Sequence, residues 1–141
     1  MKVTFCVMGV PKGKERPRVI RDRDGHPHAY TPTPTKNKEK AIARLYLASA
    51  NGYKFTDKPL KVALDFFYPI PSSWTRVKKE LALQGKITPC VKPDLDNAAK
   101  LIMDALNGVA YPDDKQILAL AASKRYGEPA RSVVTIEDME V

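Results

Sequence analysis

The stretch KPDLDNAAKLIMDALNGVAYPDD, residues 92–114, runs against the character of the chain that carries it. The 141 residues have a formal net charge of +8, yet five of the sixteen Asp and Glu fall here: Asp94, Asp96, Asp104, Asp113 and Asp114. The middle of the stretch reads as a helix. Pro93 disfavours helical geometry at Lys92, so the helix cannot extend back through it. Asp96 is the natural N-cap, and the helix runs from Asn97 to about Asn107, with Gly108 as its left-handed stop. Ala98, Leu101, Ile102, Ala105 and Leu106 form a stripe for burial. Asn97, Lys100, Asp104 and Asn107 form a polar stripe on the other side.

Taken singly, each acid has an ordinary use. Asp94 and Asp96 cap a helix, Lys100 and Asp104 are an i,i+4 surface pair, and Asp113-Asp114 is a turn. A cap needs one carboxylate, however, not two. Geometry adds to this: a helix of about 11 residues is about 16 Å long. The linker Gly108–Asp113 can span roughly 20 Å when extended. The chain can therefore double back and bring Asp114 beside Asp94 and Asp96, at the start of the next strand. Three carboxylates there repel unless a cation holds them together. With oxygen ligands alone, that cation is Mg2+, or Mn2+ in its place. Lys100, one turn into the helix, is placed to neutralise charge building on a phosphate. Asp104 reads as a solvated neighbour.

The positive charge lies at the other end of the chain. Residues 1–44 contain eleven Lys and Arg against four Asp and Glu, while the remainder is nearly neutral. A basic block beside a neutral body points to a polyanion partner. It centres on the loop 10–35, rich in Pro, Gly and charge, which reads as a long loop or irregular hairpin. Lys12, Lys14, Arg16 and Arg18 are its candidate contacts to a polyanion backbone. GVPKGKE (9–15) is one residue short of a phosphate-binding loop and has Glu15 where Ser or Thr would meet magnesium. The D-x-D beginning at Asp94 is no EF-hand either, because Ala98, Ala99 and Ala105 occupy its key positions.

Around these segments the chain fits one domain, 1–141, with a single core. Residues 2–8 alternate as a half-buried strand. A helix from Thr35, which can cap it, has Ile42, Leu45, Tyr46 and Ser49 along one side and ends at Asn51-Gly52. KPLKVALDFFYP (58–69) is a strand with Leu60, Val62, Leu64, Phe66 and Tyr68 on one face. Ser72 or Ser73 caps a further helix that Gly85 stops. QILALAASKRYG and RSVVTIEDMEV read as two strands, antiparallel across the turn 127–131. The fold class is α+β: one mixed sheet of about four strands with packed helices, order β-α-β-α-α-β-β.

Cys6 and Cys90 show no metal spacing or disulfide framework, which fits a reducing compartment. His26 and His28 share one loop and read as solvated, leaving Ser–His or Cys–His catalysis without support. No apolar run is long enough for a membrane helix and no signal peptide begins the chain. The expected location is cytoplasmic.

KPDLDNAAKLIMDALNGVAYPDDKQI closely resembles the signature of the RusA family of Holliday-junction resolvases: KPD-x-DN, a Lys four residues after the second Asp, DALNG, then Y-x-DD-x-Q. PKGKERPR, YTPTPT and PSSWTRVKKELAL are also similar to that family, so the resemblance spans most of the chain. It implies a Mg2+-dependent, structure-selective endodeoxyribonuclease that resolves four-way DNA junctions by paired symmetric phosphodiester hydrolysis. Asp94, Asp96 and Asp114 then hold the metal, Lys100 assists, and Asp113 supports. Lys92 sits where some relatives have arginine. The resemblance also implies a homodimer, since a two-fold junction is cut on two strands. Other readings are a non-catalytic branched-DNA-binding module and a Mg2+ nuclease acting on flaps or RNA. Tyr30 and Phe55 are candidates for a wedge at the branch.

Overall fold

The computed structural model describes residues 1–15, 18–30 and 32–140, with the side chain of Arg18 also outside the description. The mixed α+β sheet is present. Strand β1 (Lys2–Met8) is followed by a two-stranded hairpin of β2 (Arg18–Arg21) and β3 (Pro27–Tyr30) inside the basic loop. Helix α1 (Thr33–Ser49), strand β4 (Leu60–Tyr68), helices α2 (Arg76–Leu83) and α3 (Leu95–Leu106), and strands β5 (Ile117–Tyr126) and β6 (Arg131–Asp138) complete the chain.

The four long strands lie in the order β1-β6-β4-β5. β6 is antiparallel to both β1 and β4, whereas β4 and β5 run parallel. The antiparallel pairing expected of β5 and β6 across residues 127–131 is therefore not formed, because β4 is inserted between them. The turn passes over the end of β4, where the Gly127 N–H donates to the Tyr68 carbonyl at 3.1 Å. Parallel neighbours need a long crossover, and α2 and α3 supply it between β4 and β5.

The alternation in β4 puts Leu60, Val62, Leu64, Phe66 and Tyr68 into the core, each at most 2% exposed. α1 and α3 cover that face, packing on each other and on the sheet. α3 buries Ala98, Leu101, Ile102, Ala105 and Leu106, the stripe expected from its spacing. α1 contributes Ile42 and Tyr46, and the Tyr46 ring stands edge-on to Phe5 with centroids 5.7 Å apart. Leu45, placed on the same stripe, remains 40% exposed. Each fully buried Leu or Phe contributes about 1.5–3 kcal/mol relative to exposure.

Three helix starts differ from expectation. α1 begins at Thr33, with proline in its first turn, and Thr35 does not cap it. The Thr35 hydroxyl is buried and accepts the Glu15 N–H at 3.3 Å, tying the basic loop to the helix. α2 is capped by Thr75, which accepts the Lys78 N–H, and not by Ser72 or Ser73. α3 begins at Leu95, so Asp94 occupies the N-cap position and Asp96 lies in the first turn. At the far end Gly108 has φ +78°, the left-handed geometry a stop requires. No helix of the described residues is long and apolar enough to cross a membrane. Cys6 and Cys90 are both free and exposed.

Candidate active site

The N-terminal end of α3 is assembled by parts of the chain far apart in sequence. Asp94 has extended backbone geometry, with φ −61° and ψ 149°, and its side chain makes no capping hydrogen bond. Asp96 follows within the first turn, and both residues are exposed. Neither carboxylate has a hydrogen-bond or ion-pair partner among the described residues. Two anions at the positive end of a helix are tolerated there, and both remain available to an external cation. Lys100 is also exposed.

The segment leading into α3 is held from beneath. The Tyr68 hydroxyl donates to the Pro93 carbonyl at 2.9 Å, and Lys124 donates to the Val91 carbonyl at 2.6 Å. Burial raises the Tyr68 pKa above its ordinary value, and the negative charge of Asp94 adds to the shift. From the other side comes the basic loop. Its Lys14 N–H donates to the Asn97 carbonyl at 3.2 Å. A Cβ added at Gly13 would lie 2.8 Å from Pro93 Cβ and 3.3 Å from Asn97 Cβ, so a side chain there would push the loop off the helix. The result is a cleft of about 580 Å³ lined by Lys12, Lys92, Asp94 and Asn97 among others. Three lysines, Lys12, Lys14 and Lys92, share one opening with the Asp94 carboxylate.

Lys14 is engaged differently from the expectation of a DNA contact. Its ammonium is hydrogen-bonded to Asp104 and lies 3.4 Å from Glu39 Oε1, with its side chain only 16% exposed. Burial lowers its pKa, but the hydrogen bond and charge of Asp104, followed by Glu39, outweigh it and raise the pKa overall. Asp104 is correspondingly no solvated bystander: it anchors the basic loop to α3. Arg16 and the Arg18 side chain lie outside the described residues. Lys12 is exposed. Phe55 is 1% exposed and packs edge-on to Tyr53, so it is core and not a wedge; Tyr30 is 39% exposed at the end of β3.

The C-terminal end of α3 handles its acids in another way. Asp113 caps a short 3-10 turn (Asp114–Gln116): its side chain accepts the Lys115 N–H at 3.2 Å, and Gln116 Oε1 accepts the Asp113 N–H. The Asp114 N–H donates to Asn107 Oδ1 at 3.1 Å. The pKa of Asp113 is lowered, by the Lys115 N–H first and then by its neighbour Asp114; that of Asp114 is raised, by the adjacent Asp113 carboxyl first, then by burial and the charges of Asp113 and Asp104. None of the contacts of Asp114 is with Asp94 or Asp96.

Among the described residues, the one trio of potential ligands with donor atoms all within 4.8 Å is Asp22, Asp24 and His26, at the tip of the β2–β3 hairpin. There the backbone N–H groups of Asp24 and His26 already satisfy Asp22 Oδ1. His28 Nε2 lies 3.0 Å from Asp22 Oδ2. Asp94, Asp96 and Asp114 do not form so tight a group. Their chemistry nevertheless fits a hard divalent cation: the donors are all oxygen, and the Asp94 and Asp96 carboxylates have no protein partner among the described residues. Magnesium keeps several waters and does not need a closed protein cage.

Sequence reasoning missed Tyr68, Lys124, Glu39 and the Lys14–Asp104 pair. No local signal marks them, since the pair joins residues 90 positions apart. The Bacillus subtilis (strain 168) uncharacterized protein YqaN is 33% identical to this chain over 140 residues, covering 97% of this chain and 96% of that protein. The profile of endodeoxyribonuclease RusA matches residues 8–137, so the chain belongs to the RusA endodeoxyribonuclease family and is a nuclease by that membership.

Proposed function

We propose that the protein is a Mg2+-dependent, structure-selective endonuclease that resolves four-way DNA junctions by paired symmetric hydrolysis, acting as a homodimer. The observation that carries this reading is the Asp94 carboxylate, without a partner among the described residues, beside Lys12 and Lys92 in one cleft of a RusA-family chain, with Asp96 two residues on in the first turn of α3. In this reading Asp94 and Asp96, completed by Asp114, hold the cation, and Asp113 orients Asp114. Once bound, the metal supplies the Lewis acidity that activates water and stabilises the leaving oxygen. Lys12 and Lys92 neutralise the incoming backbone. Lys100 faces the charge that develops on the phosphate.

The test is a synthetic four-way junction incubated with wild type and Asp96→Asn. The expected result is unchanged junction binding with loss of Mg2+-dependent cutting. Wild type that binds but never cuts in Mg2+ or Mn2+ identifies a non-catalytic DNA-binding module instead. Equal or faster cutting of flaps, duplex or RNA removes the junction from the proposal. Lys12→Ala should weaken binding and reduce the salt slope by about 0.9; an unchanged slope takes Lys12 off the interface.

A further inference from the structure

Beside the acidic cleft lies a second opening, of about 240 Å³, between the end of β1, the basic loop, α1 and α3. Its walls include Val10, Pro11, Ile42, Leu101 and Ile102, and its charged lining residues are Lys12 and Lys38. Val10, Pro11 and Lys12 also line the cleft that holds Asp94, so the two openings share a wall. Ser132 of β6 lines the recess as well. It is 4% exposed, and the strand's alternation puts its side chain on the helix-covered face with Val134. The Ser132 hydroxyl has no side-chain hydrogen bond among the described residues. The residue lines the opening, so a polar group entering the recess can reach its hydroxyl.

We infer that this recess receives one unstacked nucleobase of the bound DNA, next to the phosphate held at Asp94, with Ser132 hydrogen-bonding the base edge. The inference rests on the nuclease reading above and adds a base-reading subsite to it. The chemistry matches part by part. A nucleobase has apolar faces for the aliphatic walls and a polar edge for a single hydroxyl. It is tethered to a phosphate, and Lys12, shared by both openings, spans from base site to phosphate site. Unstacking a base costs a few kcal/mol in an intact duplex and least where stacking is already broken, as at a branch point. The recess thus favours cutting where the DNA is branched and where a preferred base stands beside the cut.

Asp96→Asn protein is used to bind without cutting, with four-way junctions carrying 2-aminopurine at successive positions around the branch. Binding is followed by anisotropy of an end label on the same sample. The expected result is a several-fold fluorescence rise at one position on binding. Ala41→Phe, which fills the recess from an exposed α1 position, should abolish that rise. Ser132→Ala, which leaves the recess open, is then measured in the active protein. It should retain cutting while lowering the base preference at that position by roughly two- to tenfold, the size of one hydrogen bond. Full binding with no rise at any position overturns the inference and leaves the nuclease reading intact, as does a rise that survives Ala41→Phe. An unchanged base preference in Ser132→Ala removes the hydroxyl's role even if Ala41→Phe fails to fold. Absence of junction binding defeats both readings.

Discussion

The two ends of α3 carry the same kind of charge and treat it in opposite ways. At the N-terminal end, Asp94 and Asp96 are exposed and have no protein partner among the described residues. At the C-terminal end, Asp104 is paired with Lys14 and Asp113 caps the turn that holds Asp114. Each end nonetheless rests on a tyrosine: Tyr68 donates to the Pro93 carbonyl, and Tyr111 to the Met103 carbonyl at 3.3 Å. The difference teaches where function and stability separate. Acids already engaged by the protein support the fold, whereas acids left without partners are free to bind something from outside.

The sharpest way to break this comparison is Asp94→Asn. Cleavage should fall by roughly 10²–10³-fold, the scale of losing a group that positions transition-state charge. Unfolding free energy should change by less than about 1 kcal/mol, because an exposed carboxylate at a helix start contributes no more. A large stability loss with cleavage preserved would reverse the assignment. The opposite end answers to Asp113→Ala, which opens the capping box. It should lower the melting temperature by a few degrees, read by circular dichroism, along with any effect on cutting.

Next in size is the Lys14–Asp104 pair. Lys14→Met should cost about 1 kcal/mol in denaturant unfolding after solvent screening, and should loosen the basic loop to proteolysis ahead of global unfolding. Unaltered loop cleavage would show that Gly13 and the Asn97 carbonyl hold the loop without the ion pair. The smallest effect is alkaline. Tyr68 and Tyr111 both have pKa values raised from 10.0, by burial first and by nearby carboxylates second. The unfolded chain therefore loses these protons before the folded one does. The stability they contribute is full below pH 10 and is lost as pH rises through the folded values. Tyr111→Phe should flatten that alkaline decline more than Tyr68→Phe, since Tyr111 is 0% exposed and answers to two carboxylates. Equal slopes would remove the distinction.

How far the sequence could be read follows from which forces are local. The α3 stripe and the β4 alternation were legible because burial of one face imposes a period on the residues themselves. The start of α3 was misplaced by two residues: either Asp94 or Asp96 can cap, and the choice depends on how Tyr68 and Lys124 hold the preceding segment. The place of β4 between β5 and β6 was illegible, because alternation specifies which face is buried and says nothing about lateral neighbours. Of the proposed site, the ligand types and their spacing could be read, while the company each acid keeps could not. Asp104 looked solvated because its partner is on a loop 90 positions away.

By itself, then, the sequence determined the elements, the apolar faces, the concentration of acids on one helix and the family signature. All of these are set by neighbours within a turn or two of chain. Only the tertiary structure decided which acids stay free, which cation locks the basic loop, and that an apolar recess lined by a serine opens beside Asp94. Those outcomes depend on side chains from distant segments competing for the same partners. That competition is settled by packing in three dimensions and leaves no periodic trace along the chain.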